Sequence, residues 1–505
     1  MICHFFSIFE RLFVLWTSCA GNYFITDIMT KINCFVPFTS KKQVEKTVKS
    51  LKESALVNQI ITLDAKKEPM AQTATMRKIA ANADCDYVLL YTKQTTLSLG
   101  YLALERMVEV AEATGAAMLY ADHYAFMNGE RTNKPVIDYQ FGSLRNDFDF
   151  GSVLVYKASA LKAAVKKMKV DYKFAALYDL RLKVSQKGRL VHINEYLYSE
   201  IEEDTRKTGE KLFDYVDPRN REVQIEMEKA CTQHLKDIGG YLKPEFKSVP
   251  FGREKFEYEA SVVIPVLNRV KTIKDAIESA LKQKTNFKFN VIVVENGPKC
   301  HSWDGTTEVI ESIKDKRLVH VIPTRKDIGV GGAWNMALHH PKCGKFAVQL
   351  DSDDVYSDEN TLQKVVDAFY EQKCAMVIGS YMLTDINLKM LPPGKVDHRE
   401  WTPENGRNNA LRINGLGAPR AFFTPVARKV MFPNVNYGED YAVGLAVSRN
   451  YQIGRIYDVL YFCRRHDENS DASLSVEKEN MNNTYKDRIR TWELEARVAM
   501  NARKK

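Results

Sequence analysis

Short apolar runs and helix-spaced apolar positions alternate along this chain in a pattern that occurs twice. In the later stretch, Ser261–Pro265 is an apolar run ending in proline, the reading of a buried strand. From about Thr272 to Gln283, Ile273, Ile277, Ala280 and Leu281 share one helical face. Asn290–Val294 and Lys345–Leu350 read as strands, and the second runs directly into Asp351, Asp353 and Asp354. A helix near Glu359–Glu371 and a strand over Ala375–Gly379 follow.

The earlier stretch repeats this order. Ile32–Pro37 is a strand running into proline, Gln43–Ser54 a helix, Gln59–Leu63 a strand, and Asp86–Tyr91 the counterpart of Lys345–Leu350. Ala117-Met-Leu matches Ala375-Met-Val, Tyr178-Asp179 matches Glu439-Asp440, and Tyr196–Tyr198 matches Val459–Tyr461. Five matches in one order favour duplication over chance. Alternating strands and helices predict an α/β fold, with a mostly parallel sheet in each copy. The expected layout is a non-core extension over 1–28, a first domain over 29–200 and a charged connector over 201–256. A second domain over 257–475 and a C-terminal helix over 476–505 complete it. In the connector, Arg221–Ile238 has helical spacing.

Composition adds limits. The chain has 505 residues, 45% hydrophobic and 27% charged, enough for two or three cored domains. The net charge of +9 comes from dispersed lysines, so a solvated surface is the plain reading. Attraction to phosphate-bearing ligands or an anionic membrane face is the functional one. No nucleic-acid-binding signature occurs. Nine scattered cysteines without CxxC pairing suit a reducing compartment and point to the cytoplasm. Phe5–Trp16 is apolar, but Glu10 and Arg11 interrupt it and it is too short to span a bilayer. Peripheral membrane contact is left as a minor alternative.

The chemistry concentrates in the second copy. A strand delivering Asp351, Asp353 and Asp354 to its C-terminal end places hard oxygen donors where open α/β sheets bind ligands. Such oxygens suit Mg²⁺ or Mn²⁺ bridging to phosphate, although an acidic turn is the bland alternative. Asp327–Asn335 is a glycine-rich turn entering a helix, whose N-terminus favours anions. Tyr437-Gly-Glu439-Asp440 offers a carboxylate that could take a proton, or an acidic pair complementing a helix dipole.

The ordered set resembles glycosyltransferase family 2. It comprises Pro265 to Arg269, Glu295-Asn296-Gly297, the glycine-rich turn, the Leu350–Asp354 cluster and Gly438-Glu439-Asp440. The resemblance implies a GT-A fold, covers nearly all of the second copy, and makes the first copy a degenerate GT-A-like domain in tandem with it. It implies a nucleotide-diphospho-sugar donor held by Pro265, Leu267 and Arg269 on one loop and Glu295 and Asn296 on the next. Gly331 and Gly332 would approach the diphosphate. Asp351 would sit near the ribose, with Arg464 or Arg465 near the diphosphate. The metal, Mn²⁺ or Mg²⁺, would take Asp353, with Asp354 as support or second ligand and His466 completing the shell. Asp440 would be the base and Glu439 would orient it or the acceptor. Asn414–Arg420, with Gly417, Ala418 and Arg420, would shape the acceptor pocket. The family often has a second aspartate where this chain has Asn296, and arginine where it has Trp334, so the base and one phosphate contact stay open.

The implied function is inverting transfer of one hexosyl or N-acetylhexosaminyl unit to a glycan or lipid-linked acceptor, in cell-surface glycan or polysaccharide synthesis. The implied location is the cytoplasm or inner membrane face. The alternatives are a two-site polysaccharide polymerase, and a nucleotidyltransferase or sugar-binding regulator. Against the first, the first copy has Thr92-Lys93-Gln94 where the second has Asp351-Ser352-Asp353. It also lacks the stretch that would carry the glycine-rich turn. Asp179 persists opposite Asp440, and Asp122 and His123 could make a displaced site.

Overall fold

The computed structural model describes residues 30–38, 41–127, 130–201, 220–466, 469 and 474–503. The expected extension over 1–28 and residues 202–219 of the expected connector lie outside the described residues. The first sheet contains β1 (Ile32–Phe38), β2 (Val57–Asp64), β3 (Tyr87–Tyr91), β4 (Leu97–Leu99), β5 (Met118–Met127), β6 (Glu130–Lys134), β7 (Val153–Lys157) and β8 (Leu190–Ile201). The second contains β9 (Ala260–Val266), β10 (Phe289–Glu295), β11 (Leu318–Val321), β12 (Phe346–Gln349), β13 (Val355–Tyr356), β14 (Met376–Asp385), β15 (Met390–Val396), β16 (Arg420–Phe423) and β17 (Ile453–Arg465).

The first sheet runs β2-β1-β3-β7-β5-β8-β4 and the second β11-β10-β9-β12-β16-β14-β17-β13. Apart from β11, the second order repeats the first strand for strand, and β15 pairs with β14 as β6 pairs with β5. The sense of each pairing also repeats, from parallel β1/β2 and β9/β10 to antiparallel β3/β7 and β12/β16. Even the register irregularity between β5 and β8 recurs between β14 and β17. The duplication inferred from five short matches is thus a duplication of topology.

Both sheets are mixed, where a mostly parallel sheet was expected. The edge pairings β4/β8 and β5/β6, and β13/β17 and β14/β15, are antiparallel, and so is one central strand, β7 in one sheet and β16 in the other, to both its neighbours. Its four or five residues lead straight into a helix, so no isolated strand period marks it. The copies differ between their second and third strands. The first copy has one helix there, Thr73–Ala81; the second has Thr306–Ser312, β11 and Val330–His339.

Apolar runs such as β1, β9 and β10 are buried because helices cover the sheets. One continuous apolar core joins a face of the first sheet to the second, and another cluster fills the opposite face of the first. The helices Arg221–Asp237 and Val476–Ala502 tie the two domains. From the second helix, Asp487 Oδ2 accepts from Ser143 Oγ at 2.9 Å and Thr491 Oγ1 accepts from Gly142 N at 2.9 Å. Its Arg490 donates to Tyr441 Oη at 3.0 Å and to the Ile413 carbonyl at 2.9 Å. Gly142 is required at this crossing, since a Cβ there would lie 2.1 Å from Thr491 N. Buried, fully partnered charges of this kind hold one arrangement, because removing either partner strands the other.

Among the described residues no helix is long and apolar enough to cross a membrane, and the described cysteines are free thiols.

Candidate functional site

A cleft of about 1380 Å³ opens where the C-terminal ends of β9 and β12 meet the start of the helix Glu439–Ser448, and the first domain forms its opposite wall. On one side β9 ends in Pro265 and Val266, followed by Leu267, Asn268 and Arg269, which all line the cleft. This loop is fixed from below. Asn268 N donates to Ser302 Oγ at 3.0 Å, its Oδ1 accepts from Trp303 N at 3.0 Å, and Arg269 N donates to Thr306 Oγ1 at 2.7 Å. Asn296 lines the cleft beside it, its amide bonded to the Val266 carbonyl at 3.1 Å.

Glu295 does not line this wall, contrary to expectation. Its carboxylate is fully buried and accepts from Ser302 N, from Thr307 Oγ1 at 2.9 Å and from His320 Nε2 at 2.9 Å. Burial alone would raise its pKa; the hydrogen bonds from His320, Ser302 and Thr307 outweigh burial and hold it below the ordinary value. Glu295 therefore anchors the loop carrying Ser302 and Thr307 to β11.

The glycine-rich turn also differs. Gly331 and Gly332 are buried against the segment 433–436, where a Cβ on Gly331 would lie 1.8 Å from the Pro433 carbonyl oxygen. The first amides of Val330–His339 already have acceptors. Gly329 N donates to Asn434 Oδ1 at 2.8 Å, Val330 N to Asn436 Oδ1 at 3.0 Å and Gly331 N to the Val435 carbonyl at 3.0 Å. A diphosphate cannot use amides occupied in this way. The glycines instead allow the close approach that sets the path into Tyr437, Gly438 and Glu439.

The acidic cluster divides by direction. Asp351 faces the cleft; both its oxygens accept from Gln349 Nε2 at 2.9 Å and its amide donates to Tyr461 Oη at 3.0 Å. Burial raises its pKa against the opposing pull of Arg420 and Gln349. Asp353 Oδ2 lies 3.2 Å from His466 Nε2, 3.3 Å from Asn469 Nδ2 and 3.6 Å from Arg269 Nε. Asp354 turns inward and is 4% exposed, with Oδ1 accepting from Arg464 N at 2.7 Å. This bond ties the turn to the end of β17, while Asp354 also lines the cleft.

Arg464 also points inward. Its Nε donates to the Asp353 carbonyl at 2.5 Å and its Nη1 to Asp275 at 3.0 Å, while Arg465 lines the cleft. The expected pair thus separates into one structural and one cleft-facing arginine. Among the described residues no three His, Cys, Asp or Glu side chains converge as a closed metal cage. Asp353 Oδ2 and His466 Nε2 nevertheless stand 3.2 Å apart, one carboxylate and one imidazole donor side by side. That donor set fits a divalent ion that keeps waters and phosphate oxygens for its remaining positions.

At the other end, Gly417, Ala418, Arg420, Glu439 and Asp440 line the cleft together. Asp440 Oδ2 meets Arg420 Nη1 at 2.6 Å. Burial pushes the Asp440 carboxyl up, but Arg420 and Lys486 more than offset this and hold it below its usual value. Beside it, Glu439 Oε2 is buried without a hydrogen-bond partner. Burial first, then the Asp440 charge, raises Glu439 to about 8. Two adjacent carboxyl groups with pKa values pushed apart can hold one proton between them.

The sequence pattern does not single out two further residues that line this cleft, Gln349 and Lys486. Gln349 holds Asp351 through Nε2 while its Oε1 accepts from Arg420 N at 3.0 Å, linking the two acidic stations. Its place just before the acidic cluster could have marked it. Lys486 donates to the Asn414 carbonyl at 2.7 Å and lies 4.5 Å over the Tyr437 ring. Nothing in the sequence connects it with Asp440.

The first domain replaces the acidic cluster with a different arrangement. Lys93, just beyond β3, meets Glu200 Oε1 at 2.6 Å; His123 Nε2 lies 3.1 Å from the same oxygen and Ser152 Oγ donates to the other. Asp122 and His123 do not form the displaced site envisaged. Their partners differ: Asp122 accepts from Val136 N and His192, both at 2.8 Å, while His123 meets Glu200. Asp179 is buried against Lys183 at 2.5 Å.

Residues 261–425 match the model of glycosyl transferase family 2. The UDP-Glc:alpha-D-GlcNAc-diphosphoundecaprenol beta-1,3-glucosyltransferase WfgD of Escherichia coli is 25% identical over 246 residues, covering 47% of this chain and 85% of that protein. The minor teichoic acid biosynthesis protein GgaA of Bacillus subtilis is 32% identical over 117 residues, 22% of this chain and 25% of that protein. Among solved structures, S. aureus TarS 1-349 in complex with UDP-GlcNAc aligns at 21% identity and a TM-score of 0.38, over 48% of this chain and 71% of that one. This chain carries a glycosyl transferase family 2 domain and is a glycosyltransferase.

Proposed function

We propose that this cleft transfers a sugar from a nucleoside-diphosphate donor to an acceptor hydroxyl by single displacement, with inversion. The observation carrying the reading is the placement of two unlike acidic stations on one cleft, joined through Gln349. Pro265, Leu267, Arg269 and Asn296 hold the nucleoside, Asp351 meets the ribose, and Asp353 with His466 would hold Mn²⁺ or Mg²⁺. When bound, such an ion supplies Lewis-acid stabilisation of the departing diphosphate. Arg269 and Arg465 add positive charge on that side. Asp440, kept ionised, takes the acceptor proton; protonated Glu439 leaves Asp440 as the pair's charged base and faces the acceptor. Gly417, Ala418 and Arg420 shape the acceptor's seat.

The names of the relatives concern lipid-diphosphate-linked saccharide and teichoic acid synthesis, which favours a cell-surface glycan acceptor. A lipid-linked acceptor would bring the enzyme to the cytoplasmic membrane face. The first domain turns over no donor in this reading, because Thr92 and Gln94 stand where the second domain has Asp351 and Asp353, and Lys93 between them is ion-paired with Glu200. The test is Asp440→Asn. Transfer should fall by about 10²–10⁴ while nucleotide affinity is retained; transfer within a few-fold of wild type would assign the base elsewhere.

A further inference from the structure

The cleft is larger than a donor site requires. Ligand pockets usually enclose about 300–1,000 Å³, whereas this space measures about 1380 Å³ and continues onto the first domain. Lys93, His123, Asn146, Asp149 and Glu200 line that wall. It is a built surface. Glu200 is 1% exposed and holds both Lys93 and His123 in place. His123 is 4% exposed, stacks on Tyr198 at 5.0 Å and leaves its buried Nδ1 without a partner. The wall is also held at a fixed distance from the second domain. Asn414 Nδ2 donates to Asp147 at 2.8 Å, Arg412 to Asn146 at 2.5 Å and Asn480 to the Pro135 carbonyl at 2.7 Å.

The charges on this wall balance. Lys93, Lys134 and Arg145 face Asp147, Asp149 and Glu200, and Lys93 and Arg145 are already ion-paired. A balanced wall gives little attraction to a polyanion. Paired charges, an imidazole and side-chain amides do match the alternating donors and acceptors of sugar hydroxyls.

Resting on the glycosyl-transfer reading above, we infer that the first domain is the distal part of the acceptor site and binds the uncharged saccharide units that precede the accepting sugar. Lys93 is its principal donor, held by Glu200.

The test is an array of defined neutral and phosphorylated glycans, from mono- to hexasaccharide, probed with the full chain and with Lys93→Met. Wild-type binding should strengthen from monosaccharide to trisaccharide for at least one neutral series. Lys93→Met should lose about tenfold of that gain, the worth of one charged hydrogen bond. Lys134→Ala, at the rim of the same wall, should weaken the same glycans. Binding independent of length, binding untouched by both substitutions, preference for phosphorylated glycans, or no glycan binding would each overturn the inference. Titrating UDP with Mn²⁺ into the same wild-type sample tests the donor reading separately. Nucleotide binding without length-dependent glycan binding defeats the inference alone, and the converse defeats the donor reading.

Discussion

Glu439→Gln isolates the unusual protonation of the acidic pair without requiring a known substrate. Burial, then the neighbouring Asp440 charge, raises Glu439 from an ordinary 4.5 to about 8. Below about pH 4.5 the glutamate is protonated in both the folded and the unfolded chain. Between there and about pH 8 the unfolded chain releases the proton and the folded protein keeps it, so wild-type stability falls as pH rises. Above about pH 8 both states are ionised and the loss is complete. The glutamine of the variant has no proton to lose, so the stability of the variant relative to wild type should climb through this window. The ceiling is about 1.4 kcal/mol per pH unit. Water reaching the partly open cleft lowers it, giving about 2–4 kcal/mol between pH 5 and pH 8. Denaturant unfolding of both proteins at each pH reads the difference directly. A difference that stays constant within about 0.5 kcal/mol would refute a neutral Glu439 and, with it, the division of roles between Glu439 and Asp440.

Other outcomes follow from packing. Gly331→Ala sets a Cβ 1.8 Å from the Pro433 carbonyl oxygen and strains the Gly331–Val435 hydrogen bond; it should cost about 2–4 kcal/mol in denaturant unfolding. An unchanged midpoint would show that the 433–436 segment yields freely. Arg490→Met leaves Asp487 buried without one of its partners and should cost about 3–5 kcal/mol, read as a lowered unfolding midpoint. A neutral result would mean that the interdomain ion network contributes little.

The sequence made the strands and the duplication legible because both rest on local signals. Apolar runs such as Ser261–Pro265 and Ile32–Pro37 end in proline, and their order recurs, as the paired topologies do. β11 was not read, because it is a four-residue, half-buried run at the sheet edge. The site was legible where a residue's direction follows from the end of a strand, as for Asp351 and Asp353. It was illegible where partners come from far along the chain. Gly331 and Gly332 carry the local signature of a phosphate cradle, but Asn434 and Asn436, about a hundred residues on, occupy the helix amides. Glu295 looked like a ligand contact, but His320 and Thr307 draw it inward. Arg464 and Arg465 are adjacent in sequence, and strand alternation sends one into the turn and the other to the cleft. Lys486 reaches the acceptor station from the final helix, a contact that depends on the docking of that helix.

The central claim is that donor chemistry passes through Asp353 and a divalent ion in the second domain. The most direct measurement is turnover of UDP- and GDP-sugars by the full chain, with Mn²⁺ and with excess chelator, for wild type and Asp353→Ala. The account predicts metal-dependent donor consumption by the wild type, lost in chelator and reduced by about 10²-fold or more in Asp353→Ala, with the variant still folded. Wild-type turnover that persists in chelator, or an Asp353→Ala enzyme that consumes donor at the wild-type rate, would contradict it.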